Sequence, residues 1–210
     1  MRFSERRVTV DPFEVRVVEF GEGTPIVYLH GGGGLHIDRS LELLAESFRI
    51  VAFEMPGFGG SPANTRTATL AELAETMAGA VSAAGVGEGY VLFGTSFGGA
   101  TALHMALRDP APISALVLMS PGAFRPAGWA MPGPDDLPRL LHAHPERARP
   151  REPASPEVIQ KQGSLVRRLM GSIDQPALRE RLPTCGCRPS SSSAPRTGCC
   201  RPRWGGPTAS

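Results

Sequence analysis

Residues 90–108 join an apolar run, Tyr90–Phe93, to a helical pattern, Phe97–Arg108, through Gly94, Thr95 and Ser96 alone. A strand passes into a helix across three residues only by a tight turn, and that turn pushes the Ser96 hydroxyl out of the sheet. Gly94 and Gly98 flank the turn and permit the close approaches it forces. The helix directs its first N–H groups at the same spot, which suits a developing negative charge. G-x-S-x-G alone is a weak signal, because glycine and serine meet in many loops. The strand before it and the helix after it supply the context that makes it informative. The plainer reading of Ser96 is a serine that caps a helix.

The first half of the chain repeats these two kinds of segment. Arg6–Val10 and Glu14–Phe20, separated by Asp11-Pro12, read as an opening pair of strands. Pro25–Leu29, Phe48–Phe53 and Ile113–Met119 are short apolar runs of the kind found in buried strands. Asp38–Ser47 reads as a helix. Thr69-Leu70-Ala71-Glu72 has capping-box spacing, and Leu70, Leu73, Met77 and Val81 mark one face of a helix ending near Gly85. Strands alternating with helices at this spacing predict an α/β fold, a mostly parallel sheet flanked by helices on both faces.

The texture then changes twice. From Ala123 to Pro183, prolines and glycines (PAGWAMPGPDDLP) precede helical patches at 137–142, 156–170 and 176–182. From Thr184 to Ser210 there is no Leu, Ile, Val, Phe, Met, Asp or Glu, so no amphipathic face can form. The expected organisation is a core over 1–122, a helical insertion over 123–183, and a disordered tail over 184–210. Such a tail adds no strand and leaves Ile113–Met119 as an open edge.

At 210 residues and 41% hydrophobic content, the chain fits one domain with a sizeable core. A net charge of +2 gives no argument for nucleic acid or an acidic membrane surface. No run reaches the roughly 18 apolar residues of a membrane span, and the start lacks the apolar stretch of a secretory signal. The expectations are a cytoplasmic location, a small-molecule substrate, no nucleic-acid partner and no membrane.

His30 and the run Gly31–Gly34 come directly after a strand. Successive glycines leave backbone amides free to turn toward a substrate carbonyl. A flexible loop or a phosphate cradle are the alternatives, but the run lacks G-K-[ST] and does not match G-x-G-x-x-G opening a helix. His30 is better placed to brace this loop than to act as a base. Cys185, Cys187, Cys199 and Cys200 all lie in the tail, with no histidine partner and no usual zinc spacing, so no metal is expected.

Three motifs in order, YLHGGGG, EMPGFGGS and GTSFGG, resemble the α/β-hydrolase family, and the resemblance covers roughly residues 13–183. The middle one is similar to the family's D-x-P-G-x-G-x-S loop, with Glu54 in the aspartate's place. The resemblance implies an α/β-hydrolase fold with residues 123–183 as a helical lid. It implies Ser96 as nucleophile and the backbone amides of Phe97 and Gly32 (or Gly33) as the oxyanion hole. An ester or related carbonyl substrate would be cleaved through an acyl-enzyme, with no cofactor. Serine at the turn argues against the epoxide hydrolases and haloalkane dehalogenases of the family, which use aspartate there. C–C bond hydrolases, peptidases and haloperoxidase-like enzymes share such a lid, and no substrate-binding residue is assigned. A non-catalytic binding protein that keeps the pocket is the rival of another class.

The family orders its triad serine, acid, histidine. Ser120-Pro121-Gly122 offers no acid after Ile113–Met119. Asp135 and Asp136 read as solvated turn residues, His104 as a packed or surface residue of the helix after Ser96, and His142 and His144 as parts of the lid. The triad acid and histidine are therefore expected to be absent from this chain, along with the last strands and helix of the fold, and the chain to be inactive.

The tail carries a further signal. Twenty-one arginines against the single Lys161 point to GC-rich coding DNA. Serine codons of the TCN type, read two bases later, give codons ending in TC, which encode Phe, Leu, Ile or Val. Ser190–Ser193 thus hide an apolar run, and codons can be chosen so that 188–206 encode PVLVLGTEDRLLPPEMGR. That is a strand followed by an acid. A frameshift between about Pro183 and Arg188 is the expected origin of the break.

Overall fold

The computed structural model describes residues 2–124, 144, 154–173, 175–182, 187–188 and 197–202. Asp135, Asp136, His142, Cys185 and the helical patch at 137–142 lie outside the described residues. The strands β1 (Ser4–Val10) and β2 (Phe13–Phe20) form an antiparallel hairpin, and β2 continues antiparallel to β4 (Phe48–Glu54). From there β4, β3 (Thr24–Leu29), β5 (Tyr90–Thr95) and β6 (Ile113–Met119) run parallel in that spatial order. The helices are α1 (Arg39–Leu44), α2 (Leu70–Ala83), α3 (Phe97–Arg108), α4 (Pro156–Gly171) and α5 (Gln175–Arg181).

The unbroken apolar runs follow from burial on both faces of the sheet. Val27, Leu29, Val51 and Phe53 join a core with α2 and α3, while Ile26, Tyr28, Ile50 and Ala52 pack with Leu41 and Ala45 on the other side. Side-chain caps begin the helices where the sequence places them. Thr69 Oγ1 accepts from the Glu72 amide (3.2 Å) and Asp38 Oδ1 from the Leu41 amide (3.1 Å). α1 stops at Leu44, short of the expected Ser47, because Glu46 and Ser47 donate three residues back and tighten the chain before β4. α4 buries Leu165 and Leu169 in the larger core.

One expectation is corrected. Within the tail, residues 197–202 do contribute to the sheet: β8 (Thr197–Pro202) runs antiparallel along β6, with Thr197 opposite Met119 and Cys200 opposite Leu116. The two-residue β7 (Cys187–Arg188) pairs outside it, giving the order β1-β2-β4-β3-β5-β6-β8-β7. Composition rules out an amphipathic face but not main-chain pairing. The outer edge of β6 offers a row of N–H and C=O groups to any extended segment. Pro202, which has no N–H to give, lies beyond the last pair with β6. Among the described residues no helix is long and apolar enough to cross a membrane, and no three His, Cys, Asp or Glu side chains are grouped to hold a metal ion.

Candidate active site

Ser96 stands between the end of β5 and the first residue of α3, at φ 51° and ψ −111°. A non-glycine residue seldom adopts this backbone. The turn is held from outside: the Ser96 amide donates to Met119 O, and the Gly122 amide donates to Ser96 O, each at 2.9 Å. The end of β6 thus carries the turn. Although Ser96 sits at the cap position, its side chain makes no capping hydrogen bond. Gly98 is required by packing, since a Cβ there would run into the carbonyl oxygens of Leu29 and His30. Its amide donates to His30 O at 3.0 Å, which ties α3 to the start of the glycine loop.

That tie brings the start of the glycine loop beside the turn. A Cβ built on Gly31 would lie 3.6 Å from Ser96 Cβ. Among the described residues, the backbone amides of Gly32, Gly33 and Phe97 donate to no other protein group, whereas those of Gly34 and Gly98 are engaged. The site therefore presents a hydroxyl on a strained turn together with three uncommitted N–H donors.

His30 organises the surroundings. It is 1% exposed, with Nδ1 at 2.7 Å from Gly31 O and Nε2 accepting from the Met55 amide at 3.1 Å. These partners assign the proton to Nδ1. Burial pushes its pKa down to about 4, against a smaller opposing effect of the Gly31 carbonyl, so the ring is neutral and both nitrogens are occupied. Its ring meets Phe58 edge-on at 4.7 Å, and Phe58 meets Phe97 at 5.6 Å. The loop after β4 is in this way stacked against the turn. Glu54 is 4% exposed, pairs with Arg16 at 3.2 Å, and fills the space where a Cβ on Gly59 would stand.

Of the other histidines, His104 is remote from Ser96. His104 lies eight positions along α3, about 12 Å by helical rise. Burial lowers its pKa, aided by the Arg181 charge, and its Nε2 has no partner among the described residues. His144 is exposed, and His36 holds Gly33 O at 3.2 Å through Nε2.

Sequence reasoning missed how α4 closes over this region. Val166 lies 3.4 Å and Met170 2.9 Å from where Cβ atoms on Gly32 and Gly122 would stand. Two cations clamp the helix to the loop after β4. Lys161 Nζ donates to Gly59 O (2.9 Å) and Ser61 O (2.5 Å), and Arg168 Nη2 to Asn64 O (2.6 Å) and Thr67 O (3.1 Å).

Residues 24–196 match the family model described as alpha/beta hydrolase fold, and the chain belongs to that family. The match passes the compositional break at Thr184. Over 119 residues the chain is 32% identical to the dihydrolipoyllysine-residue acetyltransferase component of the acetoin cleaving system of Cupriavidus necator, covering 55% of this chain and 31% of that protein. It is 30% identical over 122 residues to the 2-hydroxy-6-oxo-6-(2'-aminophenyl)hexa-2,4-dienoic acid hydrolase of Metapseudomonas resinovorans (56% and 42% covered). It is 33% identical over 103 residues to the pimeloyl-[acyl-carrier protein] methyl ester esterase of Vibrio campbellii (48% and 38% covered). The chain spans less than half the length of these curated relatives. The crystal structure of Cfl2 from Burkholderia cenocepacia shares the fold, with a TM-score of 0.61 at 22% identity over 88% of this chain and 76% of that one.

Proposed function

We propose that this chain carries the nucleophile half of a serine hydrolase acting on a small-molecule ester or related carbonyl compound. The observation that carries the reading is the uncapped hydroxyl of Ser96 on a turn at φ 51°, beside three uncommitted amides. Ser96 Oγ attacks the carbonyl carbon, and the Phe97 amide with that of Gly32 or Gly33 receives the oxyanion. Collapse expels the alcohol and leaves an acyl-enzyme, which water then hydrolyses. α4 acts as part of a lid. A relative named as a methyl ester esterase favours the ester, and one named as the hydrolase of a 6-oxo-hexadienoic acid keeps C–C bond hydrolysis as the second reading.

The Ser96 proton needs a base, and His30 is fully engaged while His104 is remote. Without a triad base, rates fall by on the order of 10⁴- to 10⁶-fold. The test is to assay these 210 residues and a frame-repaired version on a short activated ester, each with Ser96→Ala. Activity in the repaired version that Ser96→Ala abolishes supports the reading. Activity that survives Ser96→Ala in both refutes it.

A further inference from the structure

A row of α4 side chains with no function so far faces the Ser96 turn. Gln162, Val166 and Met170 recur every fourth residue and so share one face of the helix. Met170 meets Gly122, whose Cβ position is 3.6 Å from Ser96 O, Val166 meets Gly32, and the Gln162 amide lies 3.5 Å from the Cβ position of Gly34. The row is apolar beside the turn and polar at the far end of the glycine loop. Gln162 is only 6% exposed, yet among the described residues its amide makes no hydrogen bond. The polar atoms of this amide are not sealed from solvent, so the group is open to a hydrogen-bonding partner from a bound ligand.

We propose that Gln162 is a specificity-determining residue. Its amide binds a neutral hydrogen-bonding group of the substrate, such as a hydroxyl. An apolar segment separates that group from the carbonyl at Ser96, passing Val166 about 6 Å along the helix from Gln162. An amide carries both donor and acceptor, which suits a neutral partner. Lys161, the nearby cation that would suit a carboxylate, is committed to Gly59 O and Ser61 O. The inference rests on Ser96 being the nucleophile.

Three ketones that cannot be hydrolysed test it by calorimetric or NMR titration of the full chain: 2-heptanone, 7-hydroxyheptan-2-one and 6-oxoheptanoate. The hydroxyketone is expected to bind about fivefold more tightly than 2-heptanone, the size of one net hydrogen bond, and the carboxylate no more tightly. Gln162→Met, close in shape, should abolish the preference by weakening the hydroxyketone alone, and Gln162→Asn should recover part of it. Equal binding of the two ketones, tighter binding of the carboxylate, no binding of any probe, or a preference unchanged in Gln162→Met overturns the proposal. Ser96→Leu separates the two readings. If it leaves the ketones bound while Gln162→Met still removes the preference, the polar subsite stands and the placement of the carbonyl at Ser96 falls.

Discussion

At φ 51° and ψ −111°, Ser96 occupies backbone space that costs a side-chain-bearing residue on the order of 1–3 kcal/mol and a glycine little. Ser96→Gly should therefore be more stable than Ser96→Ala by about 1 kcal/mol in urea denaturation. Equal stabilities would show that the turn is unstrained. His30 makes a pH prediction. Its pKa near 4 in the folded protein is depressed from 6.5, so between those values the unfolded chain binds more protons. The stabilisation is complete above pH 6.5 and is lost as pH falls toward 4. By linkage the protein should be about 2 kcal/mol less stable at pH 5 than at pH 7 through this group. Denaturation at both pH values checks this, and His30→Gln should remove that part of the slope. The position of His30 after a strand was legible in the sequence. Its partners were not, because Met55 and Phe58 reach it from a loop some 25 residues away.

Among the elements, the strands and helices before Gly122 were legible because central strands such as β3 and β4 are buried on both faces and the caps of α1 and α2 are local in sequence. α3 and β6 begin and end where the apolar pattern puts them. α4 was legible as an amphipathic helix but not as a clamp. Lys161 and Arg168 look like solvated charges, and the carbonyls they hold lie about a hundred residues earlier. Lys161→Met and Arg168→Met should each weaken the docking of α4 by about 1 kcal/mol while leaving the sheet intact. Hydrogen exchange should then rise across Pro156–Gly171 and stay unchanged in β3 and β5; a uniform rise would refute a local clamp. Gly98→Ala, which drives a methyl into two backbone carbonyls, should cost at least about 2 kcal/mol in the same denaturation assay.

For the whole molecule, the tail marks where sequence pattern loses its power. Side-chain periodicity predicts faces, but the ladder between β6 and β8 is main-chain pairing, which almost any extended segment can enter. If β8 shields the edge of β6, a chain ending at Leu182 should associate in a concentration-dependent way by light scattering, and the full chain should not. Matching behaviour of the two would show that β8 does not protect the edge. The frame change remains a proposal about the gene. The coding DNA decides it: codons for Ser190–Ser193 outside the TCN set would remove the hidden apolar run.

The single lysine of the chain is also the residue that pins α4. Any amine-directed acylating reagent therefore meets one side-chain target besides the terminal amine, and that target is held by two carbonyls while the helix is docked. The rate at which Lys161 takes up label becomes a one-site clock for α4 leaving the loop. The same clock would slow whenever a ligand seated beneath the helix holds it down.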